Sequence, residues 1–288
     1  MRLVMTLLVR DEEDIVRANL DFHLDHGVDF VIATDNRSED GTVAILEEYE
    51  RRGVLRLLHE PDDDYAQGRW VTRMARLAAV EHGADWVINN DADEFWLPLG
   101  GDLHEVLRSV PPGTDAVLVP RYNFVVPAEG PAGRDDRPFH ERMTVRYAEP
   151  YDPIKRGPVQ PKMAHRAHPD ARVLQGNHDV AWPGRGAVVD DLAVEILHFP
   201  IRTEAQFANK IAKGGAAYER NRDVPERYGR RWRRLLDAQR RGEFGDVYAG
   251  VVLDEDAVAA GLAAGELVVD RRLADSLASR GPSGAPDG

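Results

Sequence analysis

An α/β fold built on a mostly parallel, doubly wound central sheet is what the first 120 residues of this chain predict. Short apolar runs alternate with segments of helical apolar spacing, and several of the runs end in acidic turns. A strand–helix–strand rhythm of this kind builds a parallel sheet with helices on both faces. Right-handed crossovers then bring the loops after the strands to one edge, where such folds bind ligands.

Leu3 to Val9 is an apolar run, as expected of a parallel strand covered on both faces. Glu12 to His26 carries Ile15, Val16, Leu20, Phe22 and Leu24 at roughly helical spacing, with acids in its first turn that favour the helix dipole. Gly27 stops it. Phe30 to Ala33 is a second strand. Gly41 to Arg52 is a second helix, with Val43, Ile45, Leu46 and Tyr49 inward and Gly53 at its end. Val54 to Leu58 is the third strand, Gln67 to His82 a third helix closed by Gly83, Trp86 to Asn89 the fourth strand and Ala116 to Val119 the fifth. Further on, Gln206 to Tyr218 reads as a helix packed on the core and Asp254 to Ala264 as another.

Composition bounds the function. At 288 residues the chain suits one large domain or a core with an appendage. Hydrophobic residues at 43% supply a sizeable core, and a formal net charge of -13 argues against nonspecific nucleic-acid binding. The absence of Cys excludes disulfides and thiolate metal sites. No apolar run reaches the roughly 18 residues of a membrane span. The apolar start lacks a small-residue cleavage site and runs into Asp11-Glu12-Glu13-Asp14, so it reads as a buried strand and the protein as cytoplasmic.

The most informative stretch is Trp86-Val87-Ile88-Asn89-Asn90-Asp91-Ala92-Asp93-Glu94-Phe95. A buried strand that ends in clustered carboxylates holds like charges together, which is costly unless a cation relieves the repulsion. Oxygen ligands suit Mg²⁺ or Mn²⁺, which complete their shells with water and substrate phosphates. Strand one ends at Arg10-Asp11-Glu12 and strand two at Asp35-Asn36-Arg37-Ser38-Glu39-Asp40-Gly41, so three acidic turns would line one edge. No G-x-G-x-x-G follows strand one and no G-x-x-x-x-G-K-[ST] occurs, which disfavours dinucleotide oxidoreductases and P-loop NTPases. Arg10, Arg37, Arg69 and Arg73 are candidate counter-charges for a diphosphate.

These residues, in order, resemble glycosyltransferase family 2 with its Rossmann-like GT-A fold, in the branch that also resembles the family 92 enzymes. The resemblance rests on Val9-Arg10-Asp11-Glu12, His23 to Gly27-Val28-Asp29, Asp35 to Thr42, and the DxDEF motif Asp91-Ala92-Asp93-Glu94-Phe95. A later block, Leu197-His198-Phe199-Pro200-Ile201-Arg202 with Phe207, Lys210 and Gly214, extends it to roughly residues 3 to 218. Asp11 stands where the family usually has Asn, and Thr203 where it often has Ser.

The resemblance implies a metal-dependent hexosyltransferase that moves a sugar, with inversion, from a nucleoside diphosphate to an acceptor hydroxyl. The acceptor would be a saccharide, a lipid-linked group or a small molecule. Residues 1–120 would form the donor half, 121–218 the acceptor half, 219–280 a helical C-terminal extension and 281–288 a disordered tail. Asp93 would coordinate the metal, while Asp91 would contact ribose or reach the metal through water. Asp35 would read the base, and Arg10 and Glu12 would line the nucleoside pocket. His198 would complete the metal shell or contact the diphosphate, which tilts the choice from Mg²⁺ to Mn²⁺. Arg202 and Lys210 would hold phosphate.

Plainer readings stand beside these. Asp91 and Asp93 could form a solvated turn, Asp35 an Asx-turn, and Arg202 with Lys210 a solvated helix face. Ser38 and Asp40 read as helix caps and Glu94 as structural. For the general base an inverting enzyme needs, Asp179 is the first candidate, with Glu141 and Glu195 as rivals. His178 could instead bind acceptor, and Trp182 and Tyr122 could stack on a sugar. The Arg-rich segment 220–241 reads as a charged helix face or as peripheral contact with anionic lipid. A metal-dependent phosphohydrolase or nucleotidyltransferase, and a non-catalytic nucleotide-sugar binding module, remain as alternatives.

Overall fold

In a computed structural model of the chain, which describes residues 1–64, 66–128, 137–221, 225 and 228–279, the apolar runs become the centre of a seven-stranded sheet. The elements that frame the site are β1 (Leu3–Val9), α1 (Val16–Asp25), β2 (Phe30–Asp35), α2 (Thr42–Arg51), β3 (Leu55–His59) and α3 (Gln67–Val80). They continue with β4 (Trp86–Asp91), β5 (Glu94–Pro98), α4 (Leu103–Arg108), β6 (Thr114–Val119) and β7 (Arg121–Asn123). β1 pairs in parallel with β2 and β4, and β2 with β3. The strand Lys162–Arg166 lies between β4 and β6 and runs antiparallel to both, and Ala187–Val189 closes the far edge parallel to β6.

Side chains alternate across β1, as a doubly covered strand requires. Leu3, Met5, Leu7 and Val9 share one core with Ile15, Val16 and Leu20 of the α1 region and Leu46 and Tyr49 of α2. Val4, with Ile32 and Val87, shares the other with Val71, Met74, Ala75 and Ala78 of α3. α1 begins at Val16 rather than Glu12, because Glu12 turns the chain: its carbonyl accepts from Ile15 and Val16, and its N–H donates to Thr42 Oγ1. Asp11, just before, sits at φ 53°, a left-handed conformation that Asp and Asn tolerate best among residues with a side chain.

β4 runs two residues beyond Asn89 and ends at Asp91. The chain turns through Ala92 and Asp93 and leaves the main sheet as β5, which pairs antiparallel with Val194–His198; that strand pairs in parallel with β7. The register sets His198 opposite Glu94, and Phe199 N–H donates to the Asp93 carbonyl at 2.8 Å. A segment distant in sequence is thereby fixed beside the acidic turn.

The C-terminal part is mainly helical, with Arg230–Arg240, Phe244–Ala249, Glu255–Ala264 and Arg272–Ala278. Two short strands, Val252–Leu253 and Leu267–Val269, tie it to Val126–Pro127 and Val145–Tyr147. Helix Glu204–Arg220 packs on Arg230–Arg240 through Gly215, where an added Cβ would lie 2.7 Å from Leu236 Cβ. The expected tail 281–288, and Arg222 and Arg227 of the basic segment, fall outside the described residues. No helix among the described residues is long and apolar enough to cross a membrane.

Candidate active site

A two-armed cleft opens at the C-terminal ends of β1 and β4 against helix Glu204–Arg220. The arms share Glu12, Gln67, Asp91, Lys210, Tyr218 and Trp232, so they are one continuous site. The inner arm reaches Val9, Arg10, Asp11 and Asn36. The outer arm reaches Asp93, Arg121, Asp152, Lys155, His178, His198 and Arg231.

Asp93 is buried on the outer floor. The Lys210 ammonium lies 2.5 Å from its Oδ2, and His198 Nε2 lies 3.5 Å from its Oδ1. Burial works against the charged carboxylate, but the Lys210 ammonium holds Asp93 well below the usual carboxylate range. Asn123 settles which His198 nitrogen carries the proton. Its Nδ2 donates to the Tyr151 carbonyl at 2.8 Å, so its Oδ1 is the atom 2.5 Å from His198 Nδ1. Nδ1–H therefore donates to Asn123, and Nε2 turns its lone pair on Asp93. Burial also lowers the His198 pKa, which keeps the ring neutral. An imidazole lone pair and a carboxylate oxygen facing each other, with no proton to share, fit a divalent cation between them.

Among the described residues, Asp93, Glu94 and His198 offer ligand atoms all within 4.8 Å of one another. Glu94 is fully buried and already held, by Arg121 at 2.5 Å and Lys162 at 3.2 Å. Asp91 lies on both arms, but Lys162 takes its Oδ2 at 2.5 Å and Asn177 donates to its Oδ1 at 3.2 Å. Asp93 is paired too, with Lys210 through Oδ2, but its Oδ1 faces His198 Nε2, and that imidazole–carboxylate pair is the place a cation fits best. Glu12 bridges toward them: Arg202 contacts it at 2.5 Å and Lys210 at 3.7 Å, yet burial still pushes its carboxyl up.

Several sequence candidates lie elsewhere. Arg202 is on neither arm; it is buried and spent on Glu12 and on Asp14, at 2.7 and 2.8 Å. Arg69 and Arg73 line a separate groove on the outer face of α3, where Arg69 pairs with Asp62 and Asp64. The Asp35 carboxylate folds onto the N–H groups of Arg37 and Ser38, leaving its neighbour Asn36 to face the inner arm. Asp40 accepts from Thr42 N–H at the start of α2, whereas Ser38 accepts from Asp11 N–H and caps no helix. Arg10 does line the inner arm, tied to Asp63 at 2.6 Å.

None of the three base candidates lines the cleft. Asp179 pairs with Arg185 at 2.9 Å, Glu195 with Arg272 at 2.7 Å, and Glu141 sits on a short helix beside a distant groove. Trp182 stacks on His168, and Tyr122 lies under Arg146, so the aromatic walls are Tyr218, Tyr228 and Trp232 instead. In the basic segment Arg220, Arg240 and Arg241 pair with Asp63, Glu219 and Glu243, while Arg231 turns into the cleft. Sequence reasoning missed Lys162, Arg121 and Asp152. Only strand pairing brings them to the site.

No protein-family model and no curated protein matches the chain. Among solved structures, it overlaps TarS 1-349 of S. aureus in complex with UDP-GlcNAc, at TM-score 0.44 and 15% identity over 87% of this chain and 82% of that one. It overlaps the mannosyltransferase PcManGT from Pyrobaculum calidifontis, in complex with GDP-Man and Mn²⁺, at TM-score 0.39 and 16% identity over 97% and 79%. Glucosyl-3-phosphoglycerate synthase from Mycobacterium tuberculosis, with Mn²⁺, UDP and phosphoglyceric acid, overlaps at TM-score 0.31 and 18% identity over 42% and 43%. At such low scores, what these proteins bind remains a property of theirs, and function is read from this chain's own cleft.

Proposed function

We propose that the chain is a metal-dependent, family-2-like hexosyltransferase that moves a sugar from a nucleoside diphosphate onto an acceptor hydroxyl with inversion. The observation that carries this is the Asp93–His198 pair on the floor of the outer arm, 3.5 Å apart, with His198 Nδ1 turned away to Asn123 Oδ1. The ordered motifs of the sequence support the same reading.

In this account the nucleoside lies in the inner arm beside Arg10, Glu12 and Asn36. Asp93 and His198 would hold Mn²⁺ or Mg²⁺, which would supply Lewis-acid neutralisation of charge on the leaving diphosphate. Lys210, on the wall of both arms, exchanges Asp93 for a phosphate oxygen. Asp91, fixed by Lys162 and Asn177, orients ribose or a bound water.

The acceptor enters the outer arm, where His178 is the proposed base. Its Nδ1 sits 2.9 Å from the Pro161 carbonyl and so carries the proton, leaving Nε2 to accept one. Asp152, a further carboxylate of the outer arm, is held below its usual range by Arg231 and neighbouring N–H groups despite its burial, a poor setting for a base.

Turnover of UDP-, GDP- and TDP-sugars with and without Mn²⁺ tests the proposal. Asp93→Ala and His198→Ala should each abolish the metal-dependent rate. Full metal-dependent turnover in both variants would overturn it, and equal donor consumption without acceptor would make the protein a hydrolase.

A further inference from the structure

We propose that the outer arm around Lys155 and Arg231 is a subsite for an anionic group, a phosphate or a carboxylate, carried by the acceptor. The word acceptor rests on the glycosyltransferase reading; the anion site itself does not.

The inference starts from how Asp152 is used. Its Oδ1 accepts the backbone N–H groups of Ile154 and Lys155, at 2.9 and 3.0 Å. Its Oδ2 faces both cations, Arg231 at 2.6 Å and Lys155 at 3.8 Å. One carboxylate thus serves two full positive charges, and one charge is left over at the cleft wall.

The surroundings do not absorb it. Arg121 and Lys162 line the same arm and take up the nearby acids: both contact Glu94, which is fully buried behind the wall, and Lys162 also holds Asp91 at 2.5 Å, so neither acid is left for Lys155 or Arg231. The crowding is felt at Lys155, whose pKa is lowered by burial first and then by Arg231 and, further down, Arg121. Such a pair gains most from an incoming anion with two or more acceptor oxygens, which a guanidinium and an ammonium can grip together. Tyr228 and Trp232 stand on the same wall as flat surfaces for a sugar or polyol body. A neutral acceptor would leave the surplus charge unanswered.

The test is calorimetric titration of inorganic phosphate and, separately, propionate into the full chain saturated with UDP and Mg²⁺, so that donor phosphate positions are filled. The wild type should bind at least one anion, and the tighter one identifies the acceptor's group. Lys155→Gln and Arg231→Gln should each weaken that binding about tenfold or more while UDP affinity stays unchanged. If Arg231→Gln fails to fold, Lys155→Gln decides, since Lys155 is half exposed. Equal anion binding by wild type and Lys155→Gln, or none by the wild type, would overturn the subsite and reduce the cluster to a tie between the Tyr151–Asp152 strand and the Arg230–Arg240 helix. If UDP does not bind at all, the donor reading fails, and the same titrations without UDP still test the subsite.

Discussion

His198 and Asp93 face each other across 3.5 Å, an imidazole lone pair against a carboxylate, because Asn123 has drawn the ring proton to the far side. Asn123 is therefore a positioning residue for the proposed metal site. Asn123→Leu frees the tautomer and should weaken Mn²⁺ binding about 10- to 100-fold. Calorimetric Mn²⁺ titration checks this, and unchanged affinity would sink the role.

Lys210 neutralises Asp93 from the other side. Lys210→Met leaves a buried carboxylate without its ammonium and should destabilise the metal-free protein by about 3 kcal/mol. Mn²⁺ should restore more stability to this variant than to the wild type. Thermal unfolding with and without the ion measures both, and a variant that melts like the wild type in each condition contradicts the account.

His178, buried and beside Lys162 and Arg121, has its pKa lowered to about 4. As a base it must be unprotonated, so its acid limb should lie near that value. The kcat profile should stay flat as the pH falls from 7 to 6, and His178→Gln should cut kcat by about 10²-fold or more with UDP binding kept. Asp179→Asn should change kcat little. A loss of activity centred between pH 6 and 7, or a large effect of Asp179→Asn alone, would contradict the assignment.

His23 predicts the direction of acid sensitivity. Its Nδ1 donates to the Asn19 carbonyl at 2.7 Å, and its Nε2 accepts Trp96 N–H at 3.1 Å, so the neutral ring is locked in. Full burial lowers its pKa to about 3, against 6.5 in the unfolded chain. Between those values the unfolded chain binds the extra proton. Stability from this group is whole above pH 6.5 and is lost as the pH falls toward 3. From pH 7 to pH 5 it should cost about 2 kcal/mol. Urea melts of wild type and His23→Gln at both values isolate this loss, and parallel pH dependence in the two would refute it.

What the sequence made legible was local. The runs Leu3–Val9, Phe30–Asp35 and Trp86–Asp91 announce themselves because each is buried on both faces, and their acidic ends follow from the parallel rule. Lys162–Arg166 could not be read this way. Its Lys-Met-Ala-His-Arg sequence resembles a surface loop, yet it lies mid-sheet with Lys162 buried against Asp91 and Glu94. The base candidates show a related limit: Asp179 and Glu195 are near cleft residues in sequence, but they pair with Arg185 and Arg272 and do not line the cleft. The apolar spacing puts Arg69 and Arg73 on α3, and only its packing shows that they face outward.

The central claim is that Asp93 and His198 bind a divalent ion that in turn binds a nucleoside diphosphate. Calorimetric isotherms with UDP, GDP and TDP, each with and without Mn²⁺, test it most directly, run on the wild type and on Asp93→Ala. The account predicts that at least one nucleoside diphosphate binds about tenfold or more tightly with Mn²⁺, and that Asp93→Ala removes this gain. If none binds more tightly with the metal, or if Asp93→Ala keeps the full gain, the claim is contradicted.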